Sequence, residues 1–301
     1  MPARHHPSKD RSLSMPIEIK NASSSPNKTV AFDFSDKVLA YVVGITYWKF
    51  SFGSDDHHVK TLLLSLETNQ PNSTQVTATI TARLDDDTGH GINNGDSLIN
   101  VSCIAVVTAA DSNITLANAN GISSGSSSTE ISLPSNTLSI GAAFLSGWSL
   151  SQSADHHVKT FQTTAGFKQS GNLGQITSQA QMIDSSGNFA NGAINGGLVA
   201  ASTAERGILS KALVNQQTGS SQDVNFNVNL KDASVMLQSL TATFGSKDHH
   251  IKSIGGGCSG WKVNGQKVTL NNAQAFITDD SGNSQSNSDS SVSLVVFAIP
   301  A

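Results

Sequence analysis

The chain has 301 residues, a formal net charge of −4 at pH 7, and 13% charged residues where globular proteins average about 25%. This charge provides no basic surface for nucleic acid, and no apolar run is long enough to cross a membrane as a helix. Hydrophobic residues still make up 37% of the chain, which favours a folded protein, because disorder combines low hydrophobicity with high net charge.

The chain opens with a polar segment, residues 1–24, which we assign to an N-terminal tail. A more structured stretch begins at Met15. Residues 1–14 contain no apolar core, so we predict no secretory signal peptide and expect synthesis in the cytoplasm. The final location stays open, and release by a non-classical route is an alternative to retention.

Apolar and polar residues alternate with a period of two along most of the chain, for example at residues 30–34, 76–81 and 224–230. Successive side chains of a strand point to opposite faces, so this alternation is typical of half-buried strands. Helical periodicity is almost absent. Residues 204–214 fit a short helix or an extra strand, and we favour the strand. The sequence therefore predicts an all-β protein.

A five-residue motif, Asp-His-His-Val/Ile-Lys, occurs three times, at residues 56–60, 155–159 and 248–252. An Asp-x-x-Gly element follows each copy, and a strand rich in valine or isoleucine closes each segment, most weakly in the second. Repetition at such a long and nearly constant period indicates that one structural unit has been copied.

The predicted units are residues 25–116, 117–214 and 215–301, with Ser- and Gly-rich linkers at 117–129 and 215–223. Each unit contains about six short strands, which suits a small antiparallel β-sandwich. A unit of this size has a thin core by itself, so packing between units is expected. The predicted fold is three tandem antiparallel six-stranded β-sandwich repeats packed as a pseudotrimer, and the rival arrangement is three separate units in a string.

The Asp-His-His motif allows several chemical interpretations. Neighbouring strand residues diverge, so two adjacent histidines cannot chelate one ion from a regular strand. We expect the following valine or isoleucine to face the core together with the first histidine of each pair. The second histidines, His58, His157 and His250, then share the other face and form a candidate divalent-metal site on a pseudo-threefold axis, where a nearby aspartate can orient each imidazole.

The favoured interpretation of the motif is structural, because aspartate at a strand start accepts backbone N–H groups and histidine donates to carbonyls or carboxylates. Direct ligand binding by exposed imidazoles is the remaining alternative. Catalysis is not supported, since no nucleophile elbow stands out and the pattern is all-β; we predict that the protein is not an enzyme. The candidate ligand-binding residues are Asp56, His57, His58, Asp155, His156, His157, Asp248, His249 and His250.

The Asp-x-x-Gly elements are typical of hairpin turns in which glycine adopts a positive φ. The sharper alternative is a calcium site at Asp85, Asp86 and Asp87, because carboxylates and loop carbonyls suit that ion. Trp48 and Trp148 occupy matching places in two segments and are predicted to be core residues.

The first segment resembles the H-type lectin domain, a six-stranded β-sandwich that forms trimers. Residues 30–32, 42–45 and 99–106 follow that pattern, and residues 293–299 end the third segment similarly. The resemblance covers strand patterns only, and the sugar-contacting arginine and aromatic residues of that family are not evident here. It implies a sandwich fold and a binding function.

We therefore expect a non-enzymatic binding protein, lectin-like, with a glycan or another cell-surface ligand as its partner. One alternative is a structural protein that self-assembles into a fibre, particle or surface layer. A second alternative is a metal-binding protein with histidines on the pseudo-threefold axis. No cofactor is required by the first two hypotheses, and the third requires a divalent metal.

Overall fold

The structure is a computed structural model that describes residues 17–217, 219, 221–285 and 289–301. Residues 1–16 of the predicted tail lie outside the described residues. Residues 17–24, also assigned to the tail, form a strand instead, with Ile17 and Ile19 buried. Period-two alternation places both isoleucines on one covered face, so the boundary drawn at residue 24 is too late.

The described residues contain twenty β-strands and no helix. Those before residue 108 are β1 (Ile17–Ser24), β2 (Thr29–Asp33), β3 (Val38–Ser51), β4 (Val59–Asn72), β5 (Gln75–Asp85) and β6 (Leu98–Val107). Those from residue 114 to 202 are β7 (Ile114–Ser123), β8 (Ile131–Ser132), β9 (Leu138–His156), β10 (Thr160–Ser170), β11 (Leu173–Ile183), β12 (Phe189–Asn191) and β13 (Ala193–Ser202). The remainder are β14 (Leu209–Gln216), β15 (Gln222–Asn225), β16 (Leu230–Thr243), β17 (Ser253–Asn264), β18 (Lys267–Thr278), β19 (Ser284–Gln285) and β20 (Ser291–Pro300).

The strands form three antiparallel sheets, which confirms the all-β prediction. The first has the order β1-β6-β3-β17-β18-β15, with β19 beside β18. The second is β2-β5-β4-β9-β13-β7, and the third is β12-β11-β10-β16-β20-β14, with β8 beside β11. Each sheet joins strands from two of the three sequence segments, through the pairs β3–β17, β4–β9 and β10–β16. Three separate units in a string are therefore wrong, because continuous sheets connect the segments.

Two predicted boundaries each cut a strand. β7 spans the boundary at 116/117, covers much of the predicted linker and pairs with β13. β14 spans the boundary at 214/215 and pairs with β20. Both are edge strands with one neighbour. The part of β7 after the boundary exposes Asn118, Asn120 and Ser123, so its composition looks like that of a linker. Only the last two residues of β14, Asn215 and Gln216, lie in the predicted linker. The strand favoured over a helix within residues 204–214 is confirmed by β14.

An aromatic cluster fills the core where the three sheets approach one another. Trp48 and Trp148 are fully buried, with ring centroids 4.8 Å apart. Phe161 lies 5.7 Å from each of them, and Phe50 lies 5.0 Å from Trp48. These rings come from β3, β9 and β10, so one cluster holds strands of all three sheets together. Both tryptophans are core residues, as predicted.

Close backbone approach between β3 and β17 requires small residues. A Cβ atom on Gly255 would lie 2.2 Å from the carbonyl oxygen of Trp48, and one on Gly257 would lie 2.2 Å from that of Thr46. Neither distance is compatible with a real side chain, and both neighbours are backbone atoms that cannot move aside. The Gly-rich run of the third segment therefore serves sheet pairing.

The two cysteines, Cys103 and Cys258, are free and buried. Burial raises the pKa of both thiols, that of Cys258 to about 11. Both are therefore protonated at neutral pH, and the interpretation as buried free thiols is confirmed. Across the described part of the chain, no helix is long and apolar enough to cross a membrane.

Replacing Trp148 by alanine removes the centre of the aromatic cluster. We expect Trp148→Ala to lower the free energy of unfolding by about 3–5 kcal/mol, because the cavity left between three sheets cannot collapse. Urea denaturation measures the change. Phe189→Ala, at a side chain that is 62% exposed, is the matched control and should change stability by less than about 0.5 kcal/mol. A loss below about 1 kcal/mol in Trp148→Ala would show that the cluster does not hold the sheets together.

Candidate functional site

The three Asp-His-His motifs meet at one place because their backbones pair with one another. His57 pairs with Ile251, through N···O distances of 3.0 and 2.8 Å. His156 pairs with Val59, and His249 pairs with Val158 through distances of 3.1 and 3.0 Å. Each motif thus contacts the other two, and the three pairings close a circle. The paired residues Val59, Val158 and Ile251 are completely buried.

The second histidines of the motifs, which we call the outer imidazoles, form a nearly equilateral triangle. The ring centroids of His58, His157 and His250 are 4.5, 4.4 and 4.7 Å apart. Their side chains are 39%, 41% and 40% exposed, so the triangle opens to solvent. The candidate ligand nitrogens lie within 4.8 Å of one another. The structure therefore brings together the three residues predicted as a metal set.

Each outer imidazole faces an aspartate from another motif. Nδ1 of His250 lies 3.2 Å from Oδ1 of Asp56, within hydrogen-bond distance. The corresponding distances are 3.6 Å from His58 to Asp155 and 3.8 Å from His157 to Asp248. The three contacts run in the same direction around the circle. Because Nδ1 faces a carboxylate in each case, Nε2 is the ring nitrogen left for a ligand.

The same aspartates are oriented through their second oxygen. Oδ2 of Asp56 accepts the backbone N–H of Asp280 at 3.0 Å, and Oδ2 of Asp280 accepts the backbone N–H of Asp56 at 3.0 Å. Asp155 and Asp87 exchange the same pair of bonds, at 3.3 and 3.0 Å. Asp248 accepts the backbone N–H of Ser185 at 2.9 Å. The carboxylates therefore stand in defined positions before any ligand arrives.

In two of the segments, the lysine of the motif forms an ion pair with the aspartate that exchanges hydrogen bonds with a motif aspartate. Lys252 Nζ lies 2.7 Å from Asp280, and Lys60 pairs with Asp87. Ser185 stands at the matching sequence position in the second segment, so no carboxylate is present at that position. Two of the three motifs therefore have a lysine–aspartate ion pair beside the imidazoles.

Electrostatics favour ionised Asp56 and Asp248 and a neutral His58. Burial acts to raise the pKa of Asp56, but the Asp280 N–H and His250 outweigh it and hold that pKa below its ordinary value. The N–H of Ser185 lowers the pKa of Asp248. The pKa of His58 is lowered by burial and then by His250 and His157, against the opposite effect of Asp155. A neutral imidazole is the form that ligates metals.

The first histidines of the motifs, the inner imidazoles, turn away from this triangle. Nδ1 of His57, His156 and His249 lies 3.5, 3.4 and 3.1 Å from Asp86, Asp184 and Asp279, respectively. These buried aspartates begin the Asp-x-x-Gly turns. Alternation along the chain thus gives the two histidines of each motif different partners, as expected from strand geometry.

The buried aspartates close their own turns. Oδ1 of Asp184 accepts the backbone N–H groups of Ser186 and Asn188, at 2.9 and 2.8 Å. The carboxylate of Asp86 binds the equivalent groups of Thr88 and His90. The glycines of the three elements have φ values of 99°, 85° and 80°, which is the turn conformation predicted for them.

The three consecutive aspartates of the first segment each contact different residues. Asp85 pairs with Arg83 at 2.6 Å, and Asp87 pairs with Lys60. Asp86 points into its turn and towards His57. A calcium ion bound by all three carboxylates would have to displace two ion pairs, so this hypothesis gains no support from the geometry.

Sequence reasoning missed His90. Its Nδ1 lies 2.8 Å from Oδ2 of Asp86, and its ring stacks on His57 with centroids 4.0 Å apart. Alignment of the three turns could have identified it, because Asn188 and Asn283 stand at the positions that match His90. A histidine that replaces asparagine in only one of three similar turns marks a local difference in chemistry.

The chain matches no protein-family model, and comparison with curated proteins gives no match.

Replacing Asp56 by alanine removes the acceptor of the Asp280 N–H and the partner of His250. Since hydrogen bonds to charged groups contribute about 1.5–3 kcal/mol, we expect a loss of unfolding free energy in that range. Urea denaturation measures it, with the exposed Asp96→Ala as control. Equal stability of the two variants would contradict a stapling role for the motif aspartates.

Proposed function

We propose that three homologous units pack around a pseudo-threefold axis and that the outer imidazoles on this axis bind one divalent transition-metal ion. Three strand pairs support the arrangement: β3 with β17, β9 with β4 and β16 with β10 each join the strand before one motif to the strand after another. The unit boundaries then fall at residues 108–113 and 203–208, between closing and opening strands.

The single observation that carries the metal hypothesis is the circular arrangement of three imidazole–aspartate contacts. A carboxylate at Nδ1 fixes the ring orientation and raises the basicity of Nε2, as in many metal sites. Three nitrogen donors suit zinc, copper, nickel or iron better than calcium or magnesium, which prefer oxygen. His58, His157 and His250 would supply these nitrogens.

The geometry requires only small adjustments of the rings. With metal–nitrogen bonds of about 2.0–2.1 Å and tetrahedral angles, ligand nitrogens lie roughly 3.3 Å apart. The candidate atoms are already within 4.8 Å of one another, and the side chains are exposed enough to rotate. Three protein ligands leave a fourth position that faces solvent, the arrangement of an open site rather than a closed structural one.

A metal at this position would connect three parts of the chain that are far apart in sequence. Binding to the folded state alone stabilises that state in proportion to the logarithm of ligand concentration. The ion would thus reinforce the closed circle of motifs while keeping one coordination position for an external ligand.

Titration of zinc(II) into tag-free protein tests the axis site by calorimetry. We expect His157→Ala to weaken binding of one equivalent by at least about tenfold, because it removes a direct ligand. His156→Ala, which changes the neighbouring inner imidazole, is the matched control and should bind like the parent protein. His5 and His6 are present in every variant, so the difference does not depend on them. Identical isotherms for His157→Ala and the parent would contradict the proposal.

Glycan binding is the second candidate, and one cavity favours it. A depression of about 340 Å³ lies between the first and third segments and is lined by Asn21, Ser23, Asn100, Ser259 and Trp261, among others. Amide and hydroxyl groups beside an indole are suited to sugars, which present hydroxyls on one face and C–H groups on another. A glycan bound here would lie away from the Asp-His-His motifs, whose residues were predicted as the candidate ligand-binding set.

A glycan array with the parent protein and Trp261→Ala tests this candidate. We expect a specific glycan signal that falls at least about tenfold in the variant, since stacking on the indole contributes to binding. His157→Ala should leave that signal unchanged. Absence of any glycan signal for the parent protein would reject lectin-like binding.

A further inference from the structure

We propose a second metal site, in the first segment, in which His57, Asp86 and His90 bind one divalent transition-metal ion such as zinc(II) or iron(II). This site lies on the opposite side of the motif from the outer imidazoles. It uses none of their atoms, so it stands independently of the axis site.

The three candidate ligand atoms already have distances close to those of a metal site. Oδ2 of Asp86 lies 2.8 Å from Nδ1 of His90 and 3.5 Å from Nδ1 of His57. Tetrahedral coordination places ligand atoms roughly 3.3 Å apart, between these two values. One candidate ligand atom from each of the three residues falls within 4.8 Å of the other two. Two imidazoles and one carboxylate form a ligand set suited to zinc or non-haem iron.

The carboxylate is held in position by its own turn. Oδ1 of Asp86 accepts the backbone N–H groups of Thr88 and His90, at 2.8 and 2.9 Å. Oδ2 also accepts the hydroxyl of Thr88 at 2.6 Å, and it lies within 3.5 Å of Nδ1 of both imidazoles. Only 3% of the Asp86 side chain is exposed, so the oxygen has a fixed direction. A fixed anionic ligand reduces the ordering that a metal must impose.

Access to the site is open on one side. The His90 side chain is 55% exposed, and a cavity of about 380 Å³ is lined by Asp86, His90 and Arg83, among others. An ion can therefore enter from solvent and keep positions for water or an external donor. Binding requires no redox step. Unlike the outer imidazoles, these rings would share the metal with the carboxylate that their Nδ1 atoms face, so each would ligate through Nδ1 in the tautomer that carries its single proton on Nε2. A proton that Nδ1 donates to Asp86 in the free site would move to Nε2 through solvent.

The other two segments show why the site is specific to the first. His156 and His249 face their aspartates at 3.4 and 3.1 Å, much as His57 does. The third position is asparagine there, and Nδ2 of Asn188 and Asn283 donates to the aspartate at 2.8 Å. An amide N–H group donates a hydrogen bond where a deprotonated imidazole nitrogen would bind a metal. His90 alone therefore completes a ligand set.

The turns supply a natural control, because all three close in the same way. The backbone N–H of each aspartate donates to the carbonyl of the fourth following residue, at 3.2, 3.0 and 3.1 Å. His90→Asn gives the first turn the residue found in the other two, so we expect the variant to fold. Circular dichroism and the urea midpoint verify this before metal is added.

The deciding experiment titrates zinc(II) into tag-free His157→Ala, in which the axis triangle is incomplete, and into His157→Ala with His90→Asn. We expect the first protein to retain one equivalent at this second site, and the added substitution to weaken it by at least about tenfold. Unchanged affinity after His90→Asn would overturn the proposal. Because the comparison is made without an intact axis triangle, failure of either site is recognised separately.

Asn188→His tests the same argument by gain of binding. The substitution places an imidazole beside Asp184 and His156, whose spacing of 3.4 Å resembles that of the first segment. We expect one additional zinc(II) equivalent relative to the parent protein, measured by calorimetry and by elemental analysis after dialysis. If no further ion binds, an imidazole at this position does not complete the ligand set, and the proposal is wrong.

Discussion

The circle of backbone pairings between the three Asp-His-His motifs is the constraint on which the rest of the structure depends. Each motif provides one residue that pairs with the next motif and one that pairs with the previous motif. In addition to these pairings, each sheet contains strands from two of the sequence segments. The chain therefore cannot open at one segment without breaking a sheet and the circle together.

Strand geometry gives the two histidines of each motif different contacts. Since adjacent side chains diverge, one imidazole of each pair reaches an aspartate of its own segment and the other reaches an aspartate of a different segment. The first contact supports a turn, and the second gathers three rings at the solvent surface. A short motif thus makes both a local and a long-range contact without any change in backbone conformation.

The three segments share the same turn but differ in two side chains near the candidate metal sites. Ser185 stands where the other segments place Asp87 and Asp280, and His90 stands where they place asparagine. Neither difference alters the turn, because backbone hydrogen bonds and a glycine with positive φ close it in each segment. A position that varies while the backbone stays constant can acquire a metal-ligating side chain without loss of the fold. The second proposed metal site depends on such a position, His90, and the axis site depends on histidines that occur in all three motifs.

The sequence by itself determined the strand content, the division of the paired histidines between two faces, and the turns at Gly89, Gly187 and Gly282, because these follow from period-two alternation and local φ preferences. It did not reveal β7 as a strand, since a polar edge strand resembles a linker, and it ended the strand predicted within residues 204–214 at a boundary that β14 crosses. Only the tertiary structure decided which strands pair across segments, which aspartate each outer imidazole faces, and that His90 stacks on His57. Alternation shows which side of a strand is buried, but the identity of its neighbour depends on long-range packing of the whole chain.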